Sequence, residues 1–271
     1  MHRSTTKAPA ARRRILPALR LPALGLAATL ALGACSGGGT GLGLQLVSAD
    51  QVAEMGQQSW QQIKSTTPAS TDAAAKARVD RVADRVLRGA GEDPAAWEVV
   101  TFKSDQANAF ALPGNKIGVF EGMLNVAKTD DQLAAVIGHE IAHVEKEHSV
   151  ERVNSEATTQ MGVQIVGGAL QMSGTGGGEQ IAALLGAGAQ YGLLLPYARN
   201  QELEADRVGL LIMARAGYDP QAAITLWQNM AAAGGEAPPE FMSTHPNHGN
   251  RIAQLQSMMP EAEAARRKAG G

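Results

Sequence analysis

From Ala49 onward, apolar residues return at three- and four-residue intervals in two successive runs, about Ala49 to Ile63 and Ala73 to Arg88, with Val79, Val82 and Val86 on one stripe of the second. That spacing predicts two amphipathic helices that pack as a covering pair. Past Gly91 the period shortens. Trp97 to Phe102 reads as a strand and Lys116 to Phe120 as another, with Pro113-Gly114-Asn115 as the turn before it. A small sheet is therefore expected. The next helix opens at Thr129-Asp130-Asp131, where a hydroxyl can cap free amides and the acidic side chains suit the positive end of the helix dipole. Its apolar pattern continues to about Asn154. Residues 161–196 are uncharged except for Glu179, and Ser173 to Gly178 form a Gly-rich centre. Two apolar helices with a loop between them fit this stretch, and its glutamines and glycines favour packing on protein over a membrane hairpin. Further helices are expected from about Ala198 to Ala216 and from Pro220 to Ala232. The fold class is α+β and mostly helical.

The first 35 residues stand apart. Arg3, Lys7, Arg12, Arg13, Arg14 and Arg20 precede or flank an apolar stretch from Leu21 to Leu32, and no acidic residue is present. This is the pattern of a secretory signal. The stretch is short for a bilayer span and ends in Leu32-Gly33-Ala34-Cys35, which resembles a bacterial lipobox. Lipidation at Cys35, the sole cysteine, is thus expected, with the membrane as a partner through the N-terminal lipid. Without its six basic leader residues the chain keeps 18 basic against 26 acidic residues, a net charge of about −8. That balance does not suit nucleic acid. The expected organisation is a signal peptide with lipobox at 1–35, a Gly-rich tether at 36–47, one catalytic domain at 48–258 and a polar tail at 259–271.

The candidate chemistry centres on Gly138-His139-Glu140-Ile141-Ala142-His143, an HExxH motif inside the capped helix. At about 100° per residue the two histidines lie about 40° apart on adjacent turns, so both imidazoles can reach one ion. Glu140 flanks the same face, placed to touch a water without binding the metal. A catalytic zinc site usually has three protein ligands and leaves a position for water. The best candidate for the third is Glu202, because Glu202 and Asp206 share a helical face at a four-residue interval. Asp206 would then accept a hydrogen bond from a ligating imidazole, His139, and fix its tautomer. Zn2+, one ion per chain, is the expected cofactor.

Four signatures carry a family resemblance: Asn108-Ala109-Phe110-Ala111-Leu112-Pro113-Gly114, the HExxH motif, Arg199 to Asp206, and Ser243-Thr244-His245-Pro246 with Arg251. In order and spacing the chain resembles the HtpX and BepA family of gluzincin metallopeptidases, the group that includes the CAAX prenyl endopeptidase, over about Asp50 to Arg251. The resemblance implies a zincin-like fold with a small sheet beside the HExxH helix. It also implies that Lys116, Ile117, Gly118 and Val119 form an edge strand that pairs with extended substrate. It places His245 near the zinc, either stabilising the oxyanion or filling the open metal position of a resting enzyme, and makes Arg199 and Arg251 supports of the site. Ala198, Asn115 and Gly118 depart from the family pattern, and Gly118 weakens the expectation of a firm edge strand. His148 and His248 match no ligand position and are expected at the surface.

The function these readings imply is a zinc-dependent endopeptidase of the bacterial cell envelope, a small periplasmic lipoprotein of the family that hydrolyses misfolded or unassembled envelope polypeptides. The outer membrane is the expected location, facing the periplasm. The alternative is an outer-membrane assembly factor or chaperone that cleaves little. The Gly-rich stretch after Met161 is a candidate lid.

Overall fold

Ser48 caps the first helix by accepting from the Gln51 amide, while the Gln51 side chain accepts from the Ser48 amide. The computed structural model describes residues 45–172, 195–233, 239–245 and 250–270, all within one compact unit. Helix α1 (Ala49–Thr66) and α2 (Ala73–Ala90) follow the two apolar runs, and α2 buries Val79, Val82 and Val86 as their spacing requires. The α2 helix ends at Gly91, whose φ of 85° needs a residue without a side chain.

The sheet has three strands, β1 (Glu98–Phe102), β2 (Ala109–Leu112) and β3 (Lys116–Phe120), in the order β1-β3-β2. β3 runs parallel to β1 and antiparallel to β2. This corrects the expected edge strand. β3, with Lys116, Ile117, Gly118 and Val119, is paired on both sides, and the edges are β1, whose outer side carries a bridge from Ala69 to Phe102, and β2, which has no outer strand among the described residues. Gly118 serves another purpose, because a Cβ there would stand 2.4 Å from the Phe110 ring. Phe110 packs with Trp60, Phe102 and Phe120 in an aromatic cluster that joins α1 to the sheet. Asn115 has a φ of 64°, a left-handed turn position that asparagine tolerates.

After α3 (Glu121–Val126), α4 (Asp130–Glu145) starts with a second capping box, Thr129 with Gln132. It is buried along most of its length. It stops nine residues short of the expected Asn154, because Glu147 takes a φ of 53° and turns the chain into a new helix, α5 (His148–Met172). Residues 173–194, including the glycine-rich centre of the candidate lid, lie outside the described residues. No helix among the described residues is long and apolar enough to cross a membrane.

Helix α6 (Leu195–Arg215) packs closely against α4. Their backbones meet at two glycines: a Cβ on Gly138 would lie 2.8 Å from the Gly209 carbonyl oxygen, and one on Gly209 would lie 2.7 Å from the His139 nitrogen. Glu202, Asp206 and Gly209 recur at four- and three-residue steps, so the contact that brings the helices together also turns both carboxylates toward α4. Then come α7 (Gln221–Ala233), the short α8 (Glu240–Thr244) and α9 (Arg251–Ala269). The segment read as a polar tail from residue 259 is helical to Ala269 and buries Met259 and Ala262.

Candidate metal centre

The buried face of α4 carries His139 and His143 one turn apart, and α6 brings Glu202 to them. The nearest nitrogens, Nε2 of each histidine, are 3.1 Å apart. Glu202 Oε2 lies 3.3 Å from His139 Nε2 and Oε1 lies 3.3 Å from His143 Nε2. His245, just past α8, adds Nδ1 at 3.2 Å from both the Glu202 oxygens and His139 Nε2. These four side chains each offer one donor atom, all within 4.8 Å of one another. A tetrahedron of ligands about 2.0–2.1 Å from zinc has edges of about 3.3 Å, so the spacing of these donors fits the ion.

The outer contacts hold the donors in place. His139 Nδ1 is 3.0 Å from Asp206 Oδ1, the carboxylate that its helical face suggested. Arg251, only 1% exposed, donates to the same oxygen at 2.5 Å, and its second terminal nitrogen donates to the His245 carbonyl at 3.4 Å. Its guanidinium lies 3.7 Å from the ring centroid of Trp227. Phe241 stacks on His245 at 4.5 Å, and its amide donates to the Ala107 carbonyl just before β2.

Burial disfavours a charged His139, yet hydrogen bonds to Asp206 and Glu202 outweigh it and raise the group to about 9. His143 shows the reverse: burial dominates, Glu202 offsets it only in part, and the group is pushed down to about 3. Burial would raise Glu202 and Asp206, but hydrogen bonds from His139, joined by His143 and His245 at Glu202, hold both carboxyls well below the usual range. The two carboxylates are thus ionised and hold a proton on His139, and a metal ion that took the place of that proton would meet the same negative charge.

Glu140 sits beside the donors without joining them. Its Oε2 accepts from the Ala111 amide at 3.1 Å, and its Oε1 is 3.3 Å from His245 Nε2. Because Ala111 N–H points to Glu140 and not to β3, Ala109 and Ala111 present their main-chain carbonyls on the outer edge of β2.

The model of peptidase family M48 matches residues 73–259. The chain belongs to peptidase family M48. It is 39% identical over 190 residues to mitochondrial metalloendopeptidase OMA1 of Schizosaccharomyces pombe, covering 69% of this chain and 54% of the relative. The corresponding figures for metalloendopeptidase OMA1 of Homo sapiens are 35% over 175 residues, 61% and 33%. For the β-barrel assembly-enhancing protease of Escherichia coli they are 28% over 225 residues, 81% and 46%. The chain thus spans about half the length of these curated M48 relatives, or less.

These comparisons overturn the expected placement as a periplasm-facing lipoprotein of the outer membrane. The relatives of higher identity carry names that place them in mitochondria. The leader could not decide the matter, because Arg-rich, acid-free segments serve secretory and mitochondrial addresses alike. Cys35, its lipobox and His248 lie outside the described residues.

Two other site expectations are corrected. Arg199 is exposed on the first turns of α6 and is not brought to the donor group. His148 is buried, with Nδ1 2.9 Å from His143 Nδ1, because the left-handed Glu147 turns it back onto α4. Sequence reasoning also missed Trp227, Gly138 with Gly209, and the Ala111 amide. Of these the two glycines had a local signal, each a residue without a side chain in the middle of an expected helix.

Proposed function

We propose that this chain is a zinc-dependent endopeptidase that cleaves extended segments of misfolded or unassembled polypeptides. The observation that carries this is the gathering of the His139, His143, Glu202 and His245 donor atoms, all within 4.8 Å of one another, beside a carboxylate, Glu140, held by a strand amide. His139, His143 and Glu202 hold the ion. When bound, zinc supplies a Lewis acid that polarises the scissile carbonyl and acidifies a water molecule.

The rest belongs to the chain. The Ala111 amide fixes Oε2 of Glu140, which leaves Oε1 to take the proton of the attacking water and pass it to the departing amine. The outer edge of β2 receives substrate main chain through the carbonyls of Ala109 and Ala111, whose amides are bonded to Asn108 and Glu140, so recognition depends more on an extended backbone than on particular side chains. Unfolded segments meet that requirement. His245 fills the fourth corner of the donor group, the arrangement of a resting site that opens when substrate enters. The same placement favours a second reading, a polypeptide-binding assembly factor with little proteolysis.

Metal analysis of purified protein, together with cleavage of unfolded casein with and without a chelator, separates these readings. The endopeptidase contains about one zinc per chain and loses cleavage to chelator. Glu140→Gln keeps the metal and loses cleavage by at least about 100-fold. Casein cleavage by a clean Glu140→Gln preparation at the parent rate would defeat the assignment. Zinc-loaded protein that binds unfolded casein but never cuts it supports the assembly factor.

A further inference from the structure

His139 and His143 are held from behind by different chemistry. His139 leans on the Asp206 carboxylate, whereas behind His143 stands another imidazole. His148 is 1% exposed and its ring meets that of His143 edge-on, 72° between planes and 4.9 Å between centroids. Their Nδ1 atoms are 2.9 Å apart, a hydrogen-bond distance that requires one proton between two nitrogens. His143 turns Nε2 toward Glu202 and His139, so its proton belongs on Nδ1 if Nε2 is to offer a lone pair. His148 must then accept at Nδ1 and carry its own proton on Nε2. That nitrogen faces Glu204 Oε2 across a long contact of 3.5 Å. With a lone pair required of His143 Nε2, this is the arrangement of protons that makes the contact between the two Nδ1 atoms a hydrogen bond, and His148 Nε2 keeps only its long contact with Glu204.

We propose that His148 is a positioning residue for the metal centre, fixing the tautomer and ring orientation of His143 by accepting its Nδ1–H, with Glu204 steadying the far side of His148. This inference rests on the reading of His143 as a metal ligand. Its placement is built into the backbone. Glu147 has a left-handed φ of 53°, which opens α5 at His148 and brings the ring back over α4. Gln201, adjacent to Glu202 on α6, donates to the His148 carbonyl at 3.2 Å and to Glu151 Oε2 at 3.0 Å. The turn that presents His148 is thus tied to the helix that supplies the carboxylate donor. A neutral acceptor behind His143 also adds no further anion to a centre that already holds Glu140, Glu202 and Asp206.

The test compares His148→Gln with His148→Met, side chains of similar length of which only glutamine offers a strong acceptor. Zinc affinity is read by chelator competition, and the cobalt-substituted proteins are read by their visible absorption. His148→Met should bind zinc about 10–100-fold more weakly and shift the cobalt bands, while His148→Gln should recover most of the affinity. Unfolding of both variants in excess chelator reads folding apart from metal. Equal zinc affinity for the two variants and the parent, with unchanged cobalt bands, overturns the proposal and leaves the metal centre standing. A parent protein that binds no zinc sinks both. Nitrogen-15 spectra of the zinc-loaded parent need no variant: His148 should show its proton on Nε2, and a proton on Nδ1 refutes the inference even if His148→Met does not fold.

Discussion

Three of the four donors and the fourth are held in different ways. His139, His143 and Glu202 stand on α4 and α6, whose main chains touch at Gly138 and Gly209, so their separation is set by backbone against backbone. His245 follows the five-residue α8 and is held by side chains: Phe241 stacked on its ring, and Arg251 bonded to its carbonyl while resting on Trp227. Close-packed backbone has nowhere to relax, whereas a chain of side-chain contacts can give a little at each link. The helix pair should therefore respond to change in an all-or-none way and the His245 side by degrees.

The strongest way to break this contrast is Gly209→Ala. Its methyl group would stand 2.7 Å from the His139 nitrogen and 2.8 Å from its Cα, so the two helices must separate. We expect a loss of about 3 kcal/mol or more in chelator-treated protein, together with loss of zinc. An alanine variant that keeps the parent melting temperature and a full complement of zinc would show that the helix contact does not set the site.

Trp227→Leu tests the other side. It removes the ring beneath a guanidinium that is itself buried, and a destabilisation of about 2 kcal/mol is expected. Zinc should stay, because His139, His143 and Glu202, and the Gly138–Gly209 contact that spaces them, are unaltered. His245→Ala sharpens the same point with a smaller cost in stability. Three donors remain, so zinc content after dialysis should match the parent. Metal lost from either variant as completely as from Gly209→Ala would mean that the two sides are one unit.

The same division separates what could be read in the sequence from what could not. Thr129 with Gln132, the HExxH spacing and the four-residue interval of Glu202 and Asp206 are local patterns of a 3.6-residue period, and each stands on the helix that its pattern implied. The order of the strands depends on which neighbour β3 pairs with, and no local pattern records that, so the resemblance alone puts an edge on β3, which the structure has at the centre of the sheet. Glu147 interrupts the helix with a left-handed residue that is neither glycine nor asparagine, and the burial of His148 follows from that unmarked turn. Gly138 and Gly209 are 71 residues apart, and their meaning appears only when the helices are laid together.

The weakest expected effect lies at the outer end of α4, where the helix is tied to α2 by surface charge. Asp130 accepts from Arg78 at 2.9 Å and Arg81 at 2.7 Å, and as the first residue of the helix it also faces the positive end of the dipole. Burial would raise its pKa, but the hydrogen bonds from Arg81 and Arg78 prevail and hold it below the ordinary value. A carboxyl whose pKa is lower in the folded chain than in the unfolded one binds its proton first in the unfolded state. Its contribution is therefore complete above the unfolded value of about 3.9 and fades as pH falls through the folded value. Asp130→Asn should cost about 0.5 kcal/mol at neutral pH, after allowance for solvent screening, or about 1–2 °C in the melting temperature of metal-free protein. The gap between parent and variant should close as the pH falls from the unfolded value through the lower folded one. A gap that stays constant with pH would assign the effect to the shape of the side chain, and the charge would then have no part in holding the start of α4.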